Sequence, residues 1–415
     1  MTHRFRRGLD IAMDGTPEQV LARGNAVETV AVFGGDYPRM RTEVLVAPGD
    51  DVARGDPLIR DRKHPEIMIT APASGRIATV EIGPRRHLSM LSINCSGNSA
   101  RSFSRPQAPT RDSVASLCQA CGLWSGFVER PFGRIPAPDA APDAIFVTAM
   151  ESAPLSADAA VVIRFRRKLF HAGLRAVRYL TDGKVFVCQG PVADLVEAGT
   201  PVRVERFAGA HPVGLPGTHI DRLYPVERGG TVWQIHYQDV IALGSVMSEG
   251  VLPETRVVAL AGPGVQRPRL IEAPEGAALD DLLRGELLGG QMRVVSGSPL
   301  SGSEASHLRR GDHQISVLRR ARPRKPARRR WPGHATEPRP APVVPTLALG
   351  RSLGPDLPVV PLIRALSAGD VETADRLGCR ALLEEDLALA TYAAGGAQDF
   401  GMLLRRALDM LEQQP

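Results

Sequence analysis

The stretch DVARGDPLIRDRKHPEIMITAPASGRIATVEIG, residues 51–83, decides how the first part of the chain folds. Short apolar groups (Leu58-Ile59, Ile67-Met68-Ile69) are broken by Gly and Pro at close intervals, the pattern of brief strands joined by tight turns. Gly49, Gly55 and Gly75 permit positive φ, and Pro72 closes a turn. The same texture runs from VETVAVFGG (27–35) through TEVLVAPGD (42–50) to LSMLSIN (88–94). Residues 25–100 are therefore expected to form a small all-β unit.

The hairpin chemistry resembles that of biotinyl- and lipoyl-carrier domains, a barrel-sandwich hybrid in which a lysine at a hairpin tip bears the prosthetic group. Lys63 stands at that place. Its neighbours, Arg62-Lys63-His64-Pro65, are neither the methionines of a biotinyl site nor the acid of a lipoyl site. An unmodified surface lysine is the preferred reading.

At 415 residues the chain is long enough for two to four domains. Apolar residues make up 43% and aromatics only 5%, so aliphatic side chains must fill the cores. No apolar run approaches the roughly 20 residues needed to span a bilayer. The opening MTHRFRRGLDIAMDG lacks the apolar segment of a secretory signal, and five cysteines suit a reducing compartment. Both point to the cytoplasm. The net charge of +6 is local: residues 319–342 hold nine basic side chains and one acid, Glu337. That segment carries +8, which leaves −2 for the rest.

Residues 1–24 read as an N-terminal docking segment. From 101 to 255 the texture becomes α/β: AIFVTAM (144–150) and KVFVCQG (184–190) are continuous apolar runs suited to buried parallel strands. Between them, SADAAVVIRFRRKLFHAGLRAV (156–177) has helical periodicity, with Ser156 placed to cap it. Strand, helix, strand makes a βαβ unit of a Rossmann-like domain. Residues 256–318 return to strands with one helical stretch, ALDDLLRGEL (278–287), as in a β-grasp-like (SLBB-like) module. Residues 319–345 form an Arg/Pro-rich linker, and 346–415 a C-terminal helical domain. The fold class is thus multidomain α/β.

The chemistry-bearing motifs are few. Cys118 and Cys121 form C-x-x-C, but the pair has no partner motif and VASLCQACGLW reads as a buried helix face, so small buried thiols are preferred over a redox or zinc pair. GAHPVGLPGTHI (209–220) is the most unusual stretch. His211 and His219 could join His236 around a metal, but carboxylates at ligand spacing are missing, and a structured glycine loop at a subunit or ligand surface is preferred. LAGPGVQRP has Gly262 and Gly264 but no third glycine of a dinucleotide loop, and no P-loop is present. The basic linker holds one aromatic, Trp331, too little for base stacking, so no nucleic-acid partner is expected.

Taken in order, GLDIAMDGTPEQV (8–20), TAPASGRI (70–77), GLWSGFVERPFGRIPAPDAAPDAIFVTAM (122–150), GAHPVGLPGTHI, VWQIHYQDVIALG (232–244), VVALAGPGVQRPRL (257–270), RVVSGSPLSG (293–302) and the run LSAGDVETADRLGC (366–379) with EEDLALATY (384–392) resemble the A-type subunits of the sodium-translocating NADH:quinone oxidoreductases. The resemblance implies a peripheral subunit on the cytoplasmic face of the bacterial inner membrane, beside the membrane-embedded B-type subunit. It implies no cofactor in this chain: NADH, FAD, FMN, riboflavin and the 2Fe-2S cluster belong to partner subunits. It also implies that ubiquinone can come close to this chain, in a relative of a flavoprotein subunit that has lost its own cofactors. His211, Gly214, Gly217, Thr218, His219 and Trp233 are the candidate quinone- or partner-proximal residues, with no catalytic or metal residue assigned.

Three departures from the family stand out. Ala390 and Ala394 replace cysteines. Ser303-Glu304-Ala305 offers no threonine for a flavin phosphoester. A length of family sequence after HQISVL is missing, with the Arg/Pro linker in its place. The competing function is a free-standing adapter or carrier, which a lipoyl or biotinyl mass increment on Lys63 would reveal.

Overall fold

The two continuous apolar runs become adjacent strands of a six-stranded sheet in the computed structural model, which describes residues 2–84, 87–225, 230–320 and 342–413. The strand order is Thr2–Arg4, Arg203–Ala208, Lys184–Gln189, Ala144–Ala149, Val232–His236, Val128–Arg130. All pair in parallel except the last, an antiparallel edge. Every residue of Ala144–Ala149 is buried, because a central parallel strand is covered on both faces. Strand alternation sends Ile145, Val147, Trp233 and Ile235 into the large core on one face. Ala144, Phe146, Phe186 and Val232 enter a smaller core on the other.

The crossover after Ala144–Ala149 is two helices instead of the single one expected. Ala159–Phe165 is capped by Asp158, whose carboxylate accepts from Ala160 N at 2.8 Å, and not by Ser156. The helix breaks at Arg166 (φ −116°, ψ 33°) before Arg167–Val177 begins. The Arg166 guanidinium lies 2.5 Å from Glu272 of another sheet, a non-local ion pair that helical periodicity cannot register. Arg167–Val177 then packs on Tyr237–Glu249 with their backbones in contact. A Cβ on Gly173 would sit 1.9 Å from Val240 O, and one on Gly244 1.8 Å from Leu169 O.

The stretch around residues 51–83 forms two small sheets. One contains Thr29–Phe33, Leu88–Cys95, Gly75–Ile82 and Asp51–Val52; the other contains Thr42–Val44, Pro57–Asp61 and Met68–Thr70. They close over Val30, Leu58, Ile59, Ile77, Leu91 and Ile93. Gly75 is required where these strands meet: its φ is 156°, and a Cβ would lie 2.0 Å from Asn94 O.

The remaining sheet has the order Ser303–Glu304, Met292–Ser296, Gln314–Arg319, Arg256–Ala261, Arg269–Ala273, Glu18–Arg23. The helix expected over 278–287 contracts to Leu279–Leu282. Asp281 is held there as acceptor for Glu28 N at 2.8 Å, and the left-handed Gly285 follows. Residues 2–23 are stitched into two sheets. Thr2–Arg4 extends the α/β sheet, Leu9 N donates to His211 O, and Glu18–Arg23 pairs with Arg269–Ala273. Of the Arg/Pro-rich linker, residues 321–341 with Trp331 lie outside the described residues.

Buried charge joins the units. Arg256 lies 2.8 Å from Asp239 of the α/β unit and 2.9 Å from Glu275. Arg310 sits 3.5 Å from Glu275, donates to Ser125 O at 3.0 Å, and its amide donates to Asp36 of the first β unit at 3.2 Å. The C-terminal helices, chiefly Val359–Ala368 and Phe400–Glu412, enclose Leu362, Ile363, Leu387, Leu404 and Leu408. They dock on the antiparallel edge strand through the buried Arg130. Its Nε donates to Gln234 at 2.9 Å, and its Nη1 lies 3.3 Å from Asp386. Glu385 lies 3.7 Å from Nη2. Partial burial, with 36% of the side chain still exposed, and then the adjacent Asp386 carboxylate push Glu385 up to about 7.

Two outcomes follow from these contacts. Gly173→Ala, which at an open helix position would add about 1 kcal/mol of stability, lowers the urea midpoint here, because overpacking against a backbone oxygen costs about 1–3 kcal/mol and no side-chain rotation relieves it. Because the folded pKa of Glu385 is raised, the native state holds a proton that the unfolded chain releases above its ordinary value. The contribution of Glu385 to stability therefore falls as pH rises from about 4.5 to about 7, against the opposite contribution of the buried neutral histidines. Glu385→Gln removes that fall from urea midpoints measured across the window.

Candidate functional site

Read in chain order, the four central parallel strands lie 3-2-1-4 across the sheet. Connections therefore diverge between Ala144–Ala149 and Val232–His236. Open α/β sheets hold ligands in the crevice beyond the carboxyl ends of strands at such a point. Beside that point, a crevice of about 480 Å³ opens at the carboxyl ends of Ala144–Ala149, Lys184–Gln189 and Arg203–Ala208, its polar lining made by Asp10, Glu151, Ser152, Asp158, Arg164 and His211.

Local bonding builds its wall. Ser152 Oγ lies 3.0 Å from His211 Nδ1 and accepts from Gly214 N at 2.8 Å. Gly214 must be glycine, since a Cβ would lie 2.7 Å from Ser152 N. Next to this wall, His236 Nε2 is 2.9 Å from Glu151, while Nδ1 accepts from Gln238 N at 3.3 Å to cap Tyr237–Glu249. That pairing sets the Nε2–H tautomer. The His236 ring stacks on His313, from the sheet of residues 256–319, at 4.0 Å between centroids.

Of the candidate residues, His211, Gly214, Gly217, Thr218 and His219 come together on one face of the sheet. Thr218 Oγ1 donates to Pro212 O at 2.9 Å, and His219 Nε2 is 2.9 Å from Val213 O. Both side chains are fully buried. Burial pushes His211 down to about 4 and His219 to about 3, so both rings are neutral near pH 7. The C-terminal segment roofs this loop: a Cβ on Gly217 would lie 2.4 Å from Asp386 Oδ1, and one on Gly354 1.8 Å from Thr218 Oγ1. The loop is thus largely an internal joint; of the candidate residues in it His211 reaches the crevice, with Gly209 and Val213 beside it. Trp233 is on the opposite face, 5.3 Å from Trp124 and 5.6 Å from Phe127 between ring centroids.

The three histidines considered as metal ligands use ring nitrogens in separate bonds. Among the described residues no group of three or more His, Cys, Asp or Glu is arranged to hold a metal ion. Cys118 and Cys121 are both buried. Burial pushes Cys121 up to about 12 and Cys118 well above its ordinary value, so both stay thiols. Lys63 is exposed at its hairpin end, where its amide donates to Asp61 at 2.9 Å.

The residues at the crevice do not fit a dinucleotide or flavin phosphate. Glu151-Ser152-Ala153-Pro154 follows the first strand where a glycine loop would be needed, and Asp158 already occupies an amide at the start of Ala159–Phe165. Glu151, Asp158 and Asp10 would repel phosphate where helix amides ordinarily attract it. Sequence reasoning missed Glu151, Ser152 and His313. The first two follow directly on the apolar run 144–149, a legible signal, but His313 arrives from another sheet and has none.

Comparison with known proteins supplies the family. Residues 3–96 match the family described as "NqrA N-terminal barrel-sandwich hybrid domain", 109–252 "NqrA second alpha/beta domain", and 257–307 "NQRA C-terminal domain". The chain is 38% identical over 442 residues to the A-type subunit of the Na(+)-translocating NADH-quinone reductase of Pasteurella multocida, with 99% of each chain covered. It is 40% identical over 446 residues to the protein of the same name in Klebsiella pneumoniae, again with 99% of each covered. Both alignments are longer than the 415 residues here, so each relative has positions without a counterpart in this chain. A solved NAD+-reducing [NiFe]-hydrogenase overlaps 54% of this chain and 52% of its own at 15% identity and a TM-score of 0.35, too low to carry any argument. At such identity along the whole length, the chain belongs to the NqrA family, the A-type subunits of the Na(+)-translocating NADH-quinone reductases.

Proposed function

We propose that the chain is a peripheral, structural subunit of a Na⁺-translocating NADH:ubiquinone reductase, supporting electron transfer to ubiquinone coupled to sodium export. The observation that carries this reading is identity of 38% over 99% of the chain to a protein of that name. Its place is the cytoplasmic face of the inner membrane, against the membrane-embedded B-type subunit. No helix among the described residues is long and apolar enough to cross a membrane, which agrees with attachment through partners. The α/β unit is read as Rossmann-like and residues 256–318 as a β-grasp-like (SLBB-like) module.

In this reading NADH, FAD, FMN, riboflavin and 2Fe-2S stay in partner subunits. The acidic crevice and the two protonated core thiols support that assignment. If ubiquinone approaches this chain, the crevice beside His211 is the place: Met150, Phe207 and Val213 offer apolar wall, and Ser152, Arg164 and His211 offer polar contacts for a carbonyl. Thr218, His219 and Trp233 would act only by holding that wall.

Expression with and without the companion subunits tests the proposal. The tagged chain is expected to bring down membrane subunits, and membranes lacking it are expected to lose Na⁺-dependent quinone reductase activity. A chain that stays out of membranes containing the other subunits would sink the reading. For the quinone part, His211→Gln is expected to raise the KM for ubiquinone several-fold, and an unchanged KM removes His211 from that role.

A further inference from the structure

We propose that the hairpin end around Lys63 is a contact surface for the anionic phospholipid headgroups of a bilayer. Arg39, Met40, Arg41, Thr42, Arg62 and Lys63, with Pro84 and His87, line one shallow groove. No acid is among them.

The backbone holds the cations together. Asp61, itself buried, accepts from Arg41 N at 3.3 Å and Lys63 N at 2.9 Å, and Arg62 N donates to Arg41 O at 2.8 Å. Leu88 N, 3.5 Å from Thr42 Oγ1, brings the end of the Gly75–Ile82/Leu88–Cys95 hairpin alongside. Arg39 is neutralised by Asp409 and Glu412 of the C-terminal helix, and nearby Arg60 by Glu43. Arg41, Arg62 and Lys63 are exposed and have no ion pair among the described residues. Glu66 is the one exposed acid in the Arg62–Glu66 turn.

The chemistry favours lipid over an acidic protein. A protein partner needs a shaped, desolvated centre with forked arginine pairing. Here the cations are solvated, the groove is shallow, and Ile82 at the hairpin end is 52% exposed. Mobile anionic headgroups need only positive potential and an aliphatic group that dips into the interface. Each cation near an anionic surface strengthens binding about fivefold, on the order of 100-fold for three. The inference rests on the reading of this chain as a peripheral subunit, which places it within reach of a membrane.

The test is sedimentation of the full chain with vesicles. All variants carry Arg322→Gln, Arg324→Gln, Lys325→Gln, Arg328→Gln, Arg329→Gln and Arg330→Gln, so that the Arg-rich segment cannot carry the binding. This parent is expected to bind vesicles of equal phosphatidylcholine and phosphatidylglycerol in a salt-sensitive way, and to ignore pure phosphatidylcholine. Adding Arg41→Gln, Arg62→Gln and Lys63→Gln is expected to weaken binding on the order of 100-fold, with circular dichroism unchanged. Ile82→Ser weakens it by a smaller factor. Equal binding by the triple variant, or equal binding to both vesicle types, overturns the proposal. So does a triple variant that still binds vesicles but no longer copurifies with companion subunits, since the face then serves an acidic protein. A parent that never copurifies with those subunits defeats the underlying reading instead.

Discussion

Arg256, placed between Asp239 and Glu275, is the interaction on which the arrangement of the larger units depends. Asp239 stands on the helix that follows the last parallel strand, Glu275 belongs to the neighbouring sheet region, and Arg310 carries the network to Asp36 of the first β unit. Charges taken out of water are tolerated only when paired, and removing one partner from a buried pair costs about 3–5 kcal/mol. A network that needs three units in place at once therefore penalises any displaced arrangement more than apolar contact alone does.

A second buried charge performs the same task for the C-terminal helices. Arg130 leaves an edge strand that would otherwise offer unpaired backbone to solvent, and it meets Asp386 and Glu385 of the helical segment. The same docking brings Asp386 against Gly217 and Gly354 against Thr218. The loop 209–220 therefore becomes a joint that reaches the crevice at the strand ends through Gly209, His211 and Val213 alone. With carboxylates on its rim, that crevice suits neutral or hydroxylic groups better than phosphates.

The first β unit shows how one fold separates from one function. In its Arg62–Glu66 turn the Asp61 carboxylate accepts from the amides of Arg41 and Lys63. The backbone that bears the exposed Arg41, Arg62 and Lys63 is thereby held together on one surface.

The strands and the hairpins were legible in the sequence, because each is set by residues within a few positions. Ala144–Ala149 is a continuous apolar run. The missing glycine loop was legible for the same reason. What depended on distant partners was not. Helical periodicity over 156–177 says nothing of Glu272, which draws Arg166 aside, or of Asp158 displacing Ser156 as cap. Thr218 and His219 look like loop residues open to a ligand until Gly354 of the C-terminal segment closes on Thr218 and the Phe207 ring packs on His219. Trp233 looks like their neighbour until the alternation of its strand sends it to the opposite face. Local propensity determines which elements form; only the burial of charge and the packing of backbone on backbone, at Gly173 and Gly244 as at Gly217, decides which surfaces remain available for function.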